Sequence, residues 1–403
     1  MPLARDALSR LSTLARAAAA RLRTPVGGLV LLFAFWICLV HLLPVVTSGS
    51  QLLRGPAPEQ WSPQMRAIQT PLSRWDARWY FTIASHGYDY AGPNRESTIR
   101  FYPLYPMAMA ATSWLTRASL MWAGTLVSAA ALLGTLLLLA RRTREESGDE
   151  TAAATAECLL CFPSAFILAT VYAEGLTLFA MVLAVTLARR QRWWGAGLAG
   201  AAAGMTRVNG WLVILPLLVL AANAWRAGRR WRPLGALGLV LLGACAFPIY
   251  LWWKFGDPLL YLHTRPPNWM QHPRFFLCFL WDVAKAAVTA LAGGQIPRSV
   301  QGMPPFAFPV NVGVLVLMFW ALVASVRKRR WDDSAFMAGA CLFATSVGNL
   351  DSTARHGLIC FPIFLRLGEA AAANRTVRQV LLLGFVALQT VLLLRYTHWN
   401  FVL

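Results

Sequence analysis

The stretch VGGLVLLFAFWICLVHLLPVV, residues 26–46, carries no Asp, Glu, Lys or Arg. A helix of that length reaches across the roughly 30 Å hydrocarbon core of a bilayer, because each residue adds about 1.5 Å. The run ends without an A-x-A cleavage pattern, so it reads as an uncleaved first span and not as a signal peptide. Apolar runs recur at 119–140, 152–170, 174–188, 194–206, 209–224, 234–254 and 309–326, with a pair between 330 and 375 and a last run near the C-terminus. The 403 residues are 57% hydrophobic and 13% charged, against about 25% charged in soluble domains. The expectation is an all-α, polytopic integral membrane protein of about eleven transmembrane helices. Residues 25–403 then form a single membrane-embedded domain.

The charge pattern orients these spans. The net charge is +20, and only three of the 37 basic residues are lysine (Lys254, Lys285, Lys328). Arginines cluster in short links between apolar runs: Arg141-Arg142, Arg189-Arg190, Arg229-Arg230 and Arg327-Lys328-Arg329-Arg330. That is the distribution of cytoplasmic loops. It leaves no basic soluble face for nucleic acid, and nucleic acid is excluded as a partner. Residues 1–24 set Arg5, Arg10, Arg16, Arg21 and Arg23 against Leu3, Ala7, Leu11 and Leu14, and read as a cytoplasmic basic amphipathic segment on membrane lipids. Parity between the basic links leaves two large outer loops, about 48–100 and 255–308. It also places the run 101–116 at the interface or re-entering, and 275–292 outside the bilayer core. Cys158 and Cys161, at i and i+3 in an apolar run with no second pair, read as small packing residues.

With the basic links inside, the polar, aromatic-rich turns fall outside: Trp75 to Tyr80, Phe101 to Pro106, Tyr172 to Glu174, Thr206 to Asn209, Phe255 to Pro258 and Asp351 to His356. If 72–83 is a helix, Leu72, Asp76, Trp79 and Ile83 share a face. Asp76 then sits in an apolar stripe, where a carboxylate costs several kcal/mol unless a partner or a function compensates. A salt bridge to Arg74 or Arg78 is the bland alternative.

WDARWYFTIASHGYDY (75–90) followed by FYPLYP (101–106) resembles the first-loop signature of the GPI mannosyltransferase II (PIG-V) family and its bacterial relatives. Further matching strings follow in order: PSAFILATVYAEGLTLF (163–179), MTRVNGWLVILP (205–216), FGDPLLYL (255–262) and ARHGLICFPIFL (354–365). Where the family usually has a small polar residue beside its Glu, this chain has Ala173 and Gly175. Its late element reads Ala354-Arg355-His356 where the family often has Pro-Arg-Tyr.

The resemblance implies a GT-C-type glycosyltransferase whose large first outer loop carries amphipathic helices. It implies a polyprenyl- or dolichyl-phosphate-linked sugar as donor, most often mannose, and transfer with inversion to a glycan, lipid or protein hydroxyl. It places the site on the outer face, and the arginine-for-lysine bias points to a bacterial inner membrane. The chemistry of the residues agrees. A lipid phosphate leaves as an anion and needs no general acid, so one carboxylate serves as base, the role expected of Asp76. Arginine binds phosphate through a planar fork of donors, the role expected of Arg207 and Arg355, with His356 as an added donor. Trp75, Trp79, Tyr80, Tyr102, Tyr105, Glu174 and Asn209 are the expected substrate contacts. Glu174 reads equally as a cap on the following helix. Asp257, before Pro258, reads as a turn residue, and Asp351 as an N-cap or a site residue. His86 and Asp89 lie in the matching stretch, while His263, His272 and His398 read as interfacial. No carboxylate pair has metal-ligand spacing, so no metal or other cofactor is expected. A transporter or flippase of a lipid-linked sugar is the alternative; it calls for inverted repeats, and the sequence has none visible.

Overall fold

A computed structural model describes residues 24–48, 70, 72–228, 231–264, 275–295, 306–348, 350, 352–400 and 402. The expected segment 1–24 therefore lies outside the described residues except for Thr24, as do Asp351 and His272. Every regular element described is helical. In chain order the helices are α1 (Pro25–Thr47), α2 (Ala77–His86), α3 (Leu104–Thr116), α4 (Leu120–Ser147), α5 (Asp149–Cys161), α6 (Glu174–Arg189), α7 (Trp193–Thr206) and α8 (Ile214–Arg226). They continue as α9 (Trp231–Phe255), α10 (Leu260–His263), α11 (Phe276–Leu291), α12 (Ala307–Arg327), α13 (Trp331–Ser346), α14 (Thr353–Leu358), α15 (Phe361–Ala373) and α16 (Arg375–Thr397).

Among the described residues, α1, α4, α9, α12 and α16 are long and apolar enough to cross a membrane as single helices. The other expected spans are shorter or broken, and the breaks follow local chemistry. The run 152–170 is not one helix. It stops at Cys161, passes Phe162-Pro163, and resumes as a 3-10 turn over Ala165–Ala169, because the residue before a proline is pushed out of the α region. Carbonyls freed by this break need donors in an apolar setting. Gln389 of α16 supplies them, donating Nε2 to Leu160 O at 2.9 Å and Phe162 O at 2.7 Å. Trp36 of α1 donates to its Oε1 at 3.1 Å, so one buried amide joins α1, α5 and α16.

The run 209–224 likewise opens with a 3-10 turn, Gly210–Val213, before α8. A Cβ at Gly210 would lie 1.8 Å from Ala203 O, so only glycine allows the chain to turn this tightly against α7. Close approach also joins α7 to α9: a Cβ on Gly197 would meet Ala236 Cα at 2.8 Å, and one on Gly243 would meet Ala201 Cα at 2.4 Å. Small residues four apart (Gly197, Ala201; Gly200, Gly204) let the two backbones touch, as in membrane helix pairs.

The helix expected over 72–83 begins later. Trp75 holds φ 51°, a left-handed value, and α2 starts only at Ala77. Leu72 and Asp76 therefore do not share a helical stripe with Trp79 and Ile83; the buried face of α2 is Ala77, Tyr80 and Ile83. Asp76 sits at the N-cap instead, where the helix dipole favours a negative charge.

Charge also gathers at the far ends of α4 and α6. Arg142 donates Nη2 to both carboxylate oxygens of the fully buried Asp333, at 2.8 and 2.6 Å. Arg189 reaches Asp332 at 2.6 Å and Glu146 at 2.6 Å. Arg330 reaches Glu146 at 3.1 Å, and Arg366 reaches Glu369 at 3.1 Å. These ion pairs pin α4, α6, α13 and α15 together.

Candidate active site

Four charged side chains from four separate segments meet at the opposite ends of α4 and α6. Each is placed by its own local structure. Asp76 follows a tight turn in which Thr70 N donates to Ser73 Oγ and Ser73 Oγ donates back to Thr70 O. Arg74 ties that turn to the end of α16, donating Nε to Thr397 O at 3.1 Å. Asp76 N donates to Tyr172 Oη at 3.3 Å. A non-glycine residue at φ 51° is strained, and such strain collects at functional turns.

Glu174 is the first residue of α6 and is completely buried. Arg207 follows the last residue of α7, in extended backbone, and Thr177 fastens that helix end by donating to Thr206 Oγ1 at 2.9 Å. Arg355 lies on α14. The preceding Ala354 is gripped from both sides: its N–H donates to Asn311 Oδ1 at 2.8 Å, and its carbonyl accepts from Ser164 Oγ at 2.9 Å. The break at Pro163 thus exposes a serine that helps hold Arg355 in place.

These supports produce a continuous ionic chain. Arg207 Nη1 donates to Glu174 Oε1 at 2.6 Å. Arg355 Nε donates to the same oxygen at 2.6 Å, and its Nη1 donates to Asp76 Oδ2 at 2.9 Å. The Arg355 guanidinium also lies over the Tyr172 ring, 4.6 Å from its centre, a cation–π contact that fixes its plane. The second oxygen of Glu174 is buried and has no hydrogen-bond partner among the described residues. A small cavity beside Asp76 is lined by Trp75, Ile167, Tyr172, Arg355, Tyr396 and Val402. Two carboxylates and two guanidiniums leave the cluster formally neutral.

The bland partner for Asp76 is not the one observed. Its ion pair is with Arg355, whereas Arg78 pairs with Glu96. Tyr80 and Tyr105 form the layer beneath, 4.9 Å apart edge to face, with Tyr105 donating to Gly124 O at 2.9 Å. Trp79 stacks on Phe101, and Trp75 meets Trp399 edge-on. Tyr102 belongs to a separate aromatic cluster with Phe247 and Tyr261. Asn209 is buried with Oδ1 unpartnered among the described residues. His356 is half-buried beside Phe343; burial, together with the Arg207 and Arg355 cations, pushes it down to about 3, so the ring is neutral.

Among the other histidines and acids, Asp257 does form a turn, accepting from Leu259 N at 2.8 Å and meeting His263 at 2.6 Å. His86 contacts Ser85, Asp89 N donates to Thr98 Oγ1, and His398 meets Thr47 O. Among the described residues no three His, Cys, Asp or Glu side chains converge. Tyr172 and Tyr396, which line the cavity, were not among the expected contacts. Tyr172 stands two residues before Glu174 and was legible as part of that turn; Tyr396 carries no local signal.

A family model described as Mannosyltransferase (PIG-V) matches residues 31–221, just under half of the chain. No curated protein matches the sequence. Among solved structures, ArnT from Cupriavidus metallidurans, bound to undecaprenyl phosphate, is similar at TM-score 0.52 and 14% identity, over 89% of this chain and 62% of that one. The Archaeoglobus fulgidus oligosaccharyltransferase in its apo form aligns at TM-score 0.47 and 12% identity, over 94% of this chain and 56% of that one. The chain thus spans less than two thirds of the length of these proteins. The family match and the order of motifs agree: over residues 31–221 the chain is similar to the PIG-V mannosyltransferases, and its fold is similar to that of ArnT.

Proposed function

We propose that the protein transfers a sugar, mannose, from a polyprenyl- or dolichyl-phosphate donor to an acceptor hydroxyl, with inversion at the anomeric carbon. The observation that carries the reading is the cluster of Asp76, Arg355, Glu174 and Arg207, an exposed-edge carboxylate paired with one of two guanidiniums that a buried glutamate joins, in a helical membrane protein. In the reaction the acceptor oxygen forms a bond to the anomeric carbon while the bond from that carbon to the phosphate oxygen breaks. The acceptor proton passes to Asp76, and the electron pair leaves on the lipid phosphate. Asp76 is the group with an accessible carboxylate edge, its side chain 29% exposed, whereas Glu174 is sealed at 0%. The departing phosphate carries the growing negative charge, which planar guanidiniums stabilise through paired donors.

The site lies at the helix ends away from the basic links, which supports reading it as outward-facing in a bacterial inner membrane. Partners are then the lipid-linked donor, surrounding lipids and a glycan, lipid or protein acceptor. The test is incubation of membranes containing the protein with radiolabelled polyprenyl-phosphate-mannose. Label should move from lipid into an acceptor, and Asp76→Asn should stop it. Movement of intact labelled lipid between leaflets of proteoliposomes, with no transfer, would instead establish a flippase.

A further inference from the structure

Resting on that reading, we infer that donor phosphate and Asp76 compete for one edge of Arg355, so that donor binding itself releases the catalytic base. The cluster is formally neutral, with each arginine committed to a carboxylate. An incoming phosphate adds negative charge and must take donors from one of them. The two carboxylates are not equivalent as ligands of Arg355.

Glu174 holds Nε from a fully buried position at the start of α6 and is held in turn by Arg207. Removing it would strand a buried charge, which is costly. Asp76 holds only the Nη1 edge, and its side chain is 29% exposed against 0% for Glu174. It accepts no cap hydrogen bond from the helix it precedes, and among the described residues Arg355 alone is hydrogen-bonded to its carboxylate. Nη2 of Arg355 has no partner among the described residues, and both Asp76 and Arg355 line the small cavity.

The geometry makes Glu174 the anchor and Asp76 the exchangeable ligand. Nε on Glu174 and the guanidinium face on Tyr172 keep Arg355 in place while its Nη edge changes partner. Phosphate takes that edge, and the carboxylate turns away with its proton-accepting oxygens unoccupied. Before the donor arrives, the Asp76 carboxylate is held by Arg355 and turned from an acceptor hydroxyl; afterwards it is free beside the anomeric centre. Glu174 is on this account a positioning residue, since it acts through Arg355.

The experiment is equilibrium binding of undecaprenyl phosphate, the reaction-product analogue of the donor, to purified full-length protein in detergent. Wild type, Asp76→Asn and Asp76→Ala are compared, each checked for its melting temperature. Both variants should bind about tenfold more tightly than wild type, the effect of removing a competing charge-assisted hydrogen bond of roughly 1.4 kcal/mol. The alanine variant retains the test if the amide misfolds. Equal or weaker binding by the folded variants, with wild type binding normally, would overturn the exchange and leave the transferase reading intact. Absence of binding by all three would remove the transferase reading, and this inference with it.

Discussion

Arg355 and Glu174 stand 181 residues apart, yet Arg355 Nε donates to Glu174 Oε1 at 2.6 Å inside a fully buried contact. The same oxygen receives Arg207, so Glu174 neutralises two cations brought from separate helix ends. Glu174→Gln keeps the shape and removes that charge, leaving two guanidiniums with Asp76 alone. Breaking a buried pair from one side costs about 3–5 kcal/mol. The melting temperature should fall clearly, and donor binding should weaken with it. An unchanged melting curve would show that Glu174 is held protonated and is no anchor.

Arg355→Lys retains a positive charge but loses the planar fork and the stacking on Tyr172. A lysine cannot serve Glu174 and a phosphate in one plane. Donor affinity should drop by about ten- to a hundredfold, the worth of one hydrogen bond to a charged group at about 1.5–3 kcal/mol. Titration with undecaprenyl phosphate measures this directly. Wild-type affinity in the lysine variant would place the phosphate elsewhere, with Arg207 the next residue to test.

Much of this architecture was legible locally. Apolar runs bounded by arginine links marked the helices, and polar residues at the turns marked Asp76, Glu174, Arg207 and Arg355. Local reading failed where a distant partner decides the outcome. Nothing near Asp76 announces Arg355, 279 residues away, and the nearer Arg78 is taken by Glu96. The periodicity that placed Asp76 on a helical stripe ignored the left-handed turn at Trp75, which is stabilised by residues of α16 far along the chain. The pairing of Gln389 with carbonyls freed at Pro163 is likewise invisible without the tertiary contact. The break itself could have been read from the proline.

The ion-pair network at the other end of the bundle gives a control for the site. Glu174 and Arg189 end the same helix, roughly 22 Å apart at 1.5 Å per residue. Asp333→Asn removes the charge that Arg142 grips with two hydrogen bonds, leaving a buried guanidinium with Glu146 alone. Stability should fall by about 3 kcal/mol, whereas undecaprenyl phosphate affinity of the folded protein should stay within about a factor of two, as expected for independent distant sites. A large affinity change would mean that the two ends of the bundle are coupled.

Orientation is open to direct labelling. Asn94 and Ser147 are both exposed but fall on opposite sides of α4 in the expected topology. In a variant freed of its native cysteines, an impermeant thiol reagent should reach Asn94→Cys in intact cells. It should reach Ser147→Cys only after permeabilisation, since that position follows the Arg141 to Arg144 link. Labelling of Ser147→Cys from outside would invert the protein and put the acidic–arginine cluster on the cytoplasmic face.

Asp76→Asn separates catalysis from structure. The amide keeps the size of the side chain and can still meet Arg355 Nη1, but it cannot take a proton from an acceptor hydroxyl. Loss of a general base typically lowers the rate by about 10²–10⁴-fold, or roughly 3–5 kcal/mol of barrier. Stability should change little, because Asp76 is 29% exposed and Arg355 keeps its buried contact with Glu174. A purely structural ion pair predicts the reverse pairing, with a lower melting temperature and turnover largely kept. Measuring melting temperature and transfer rate on the same purified variant distinguishes the two. Turnover above about a tenth of wild type, well short of the loss expected for a base, would remove Asp76 from that role. Glu174 could not inherit it, being sealed between two guanidiniums, so the proton would have to pass to the departing phosphate itself.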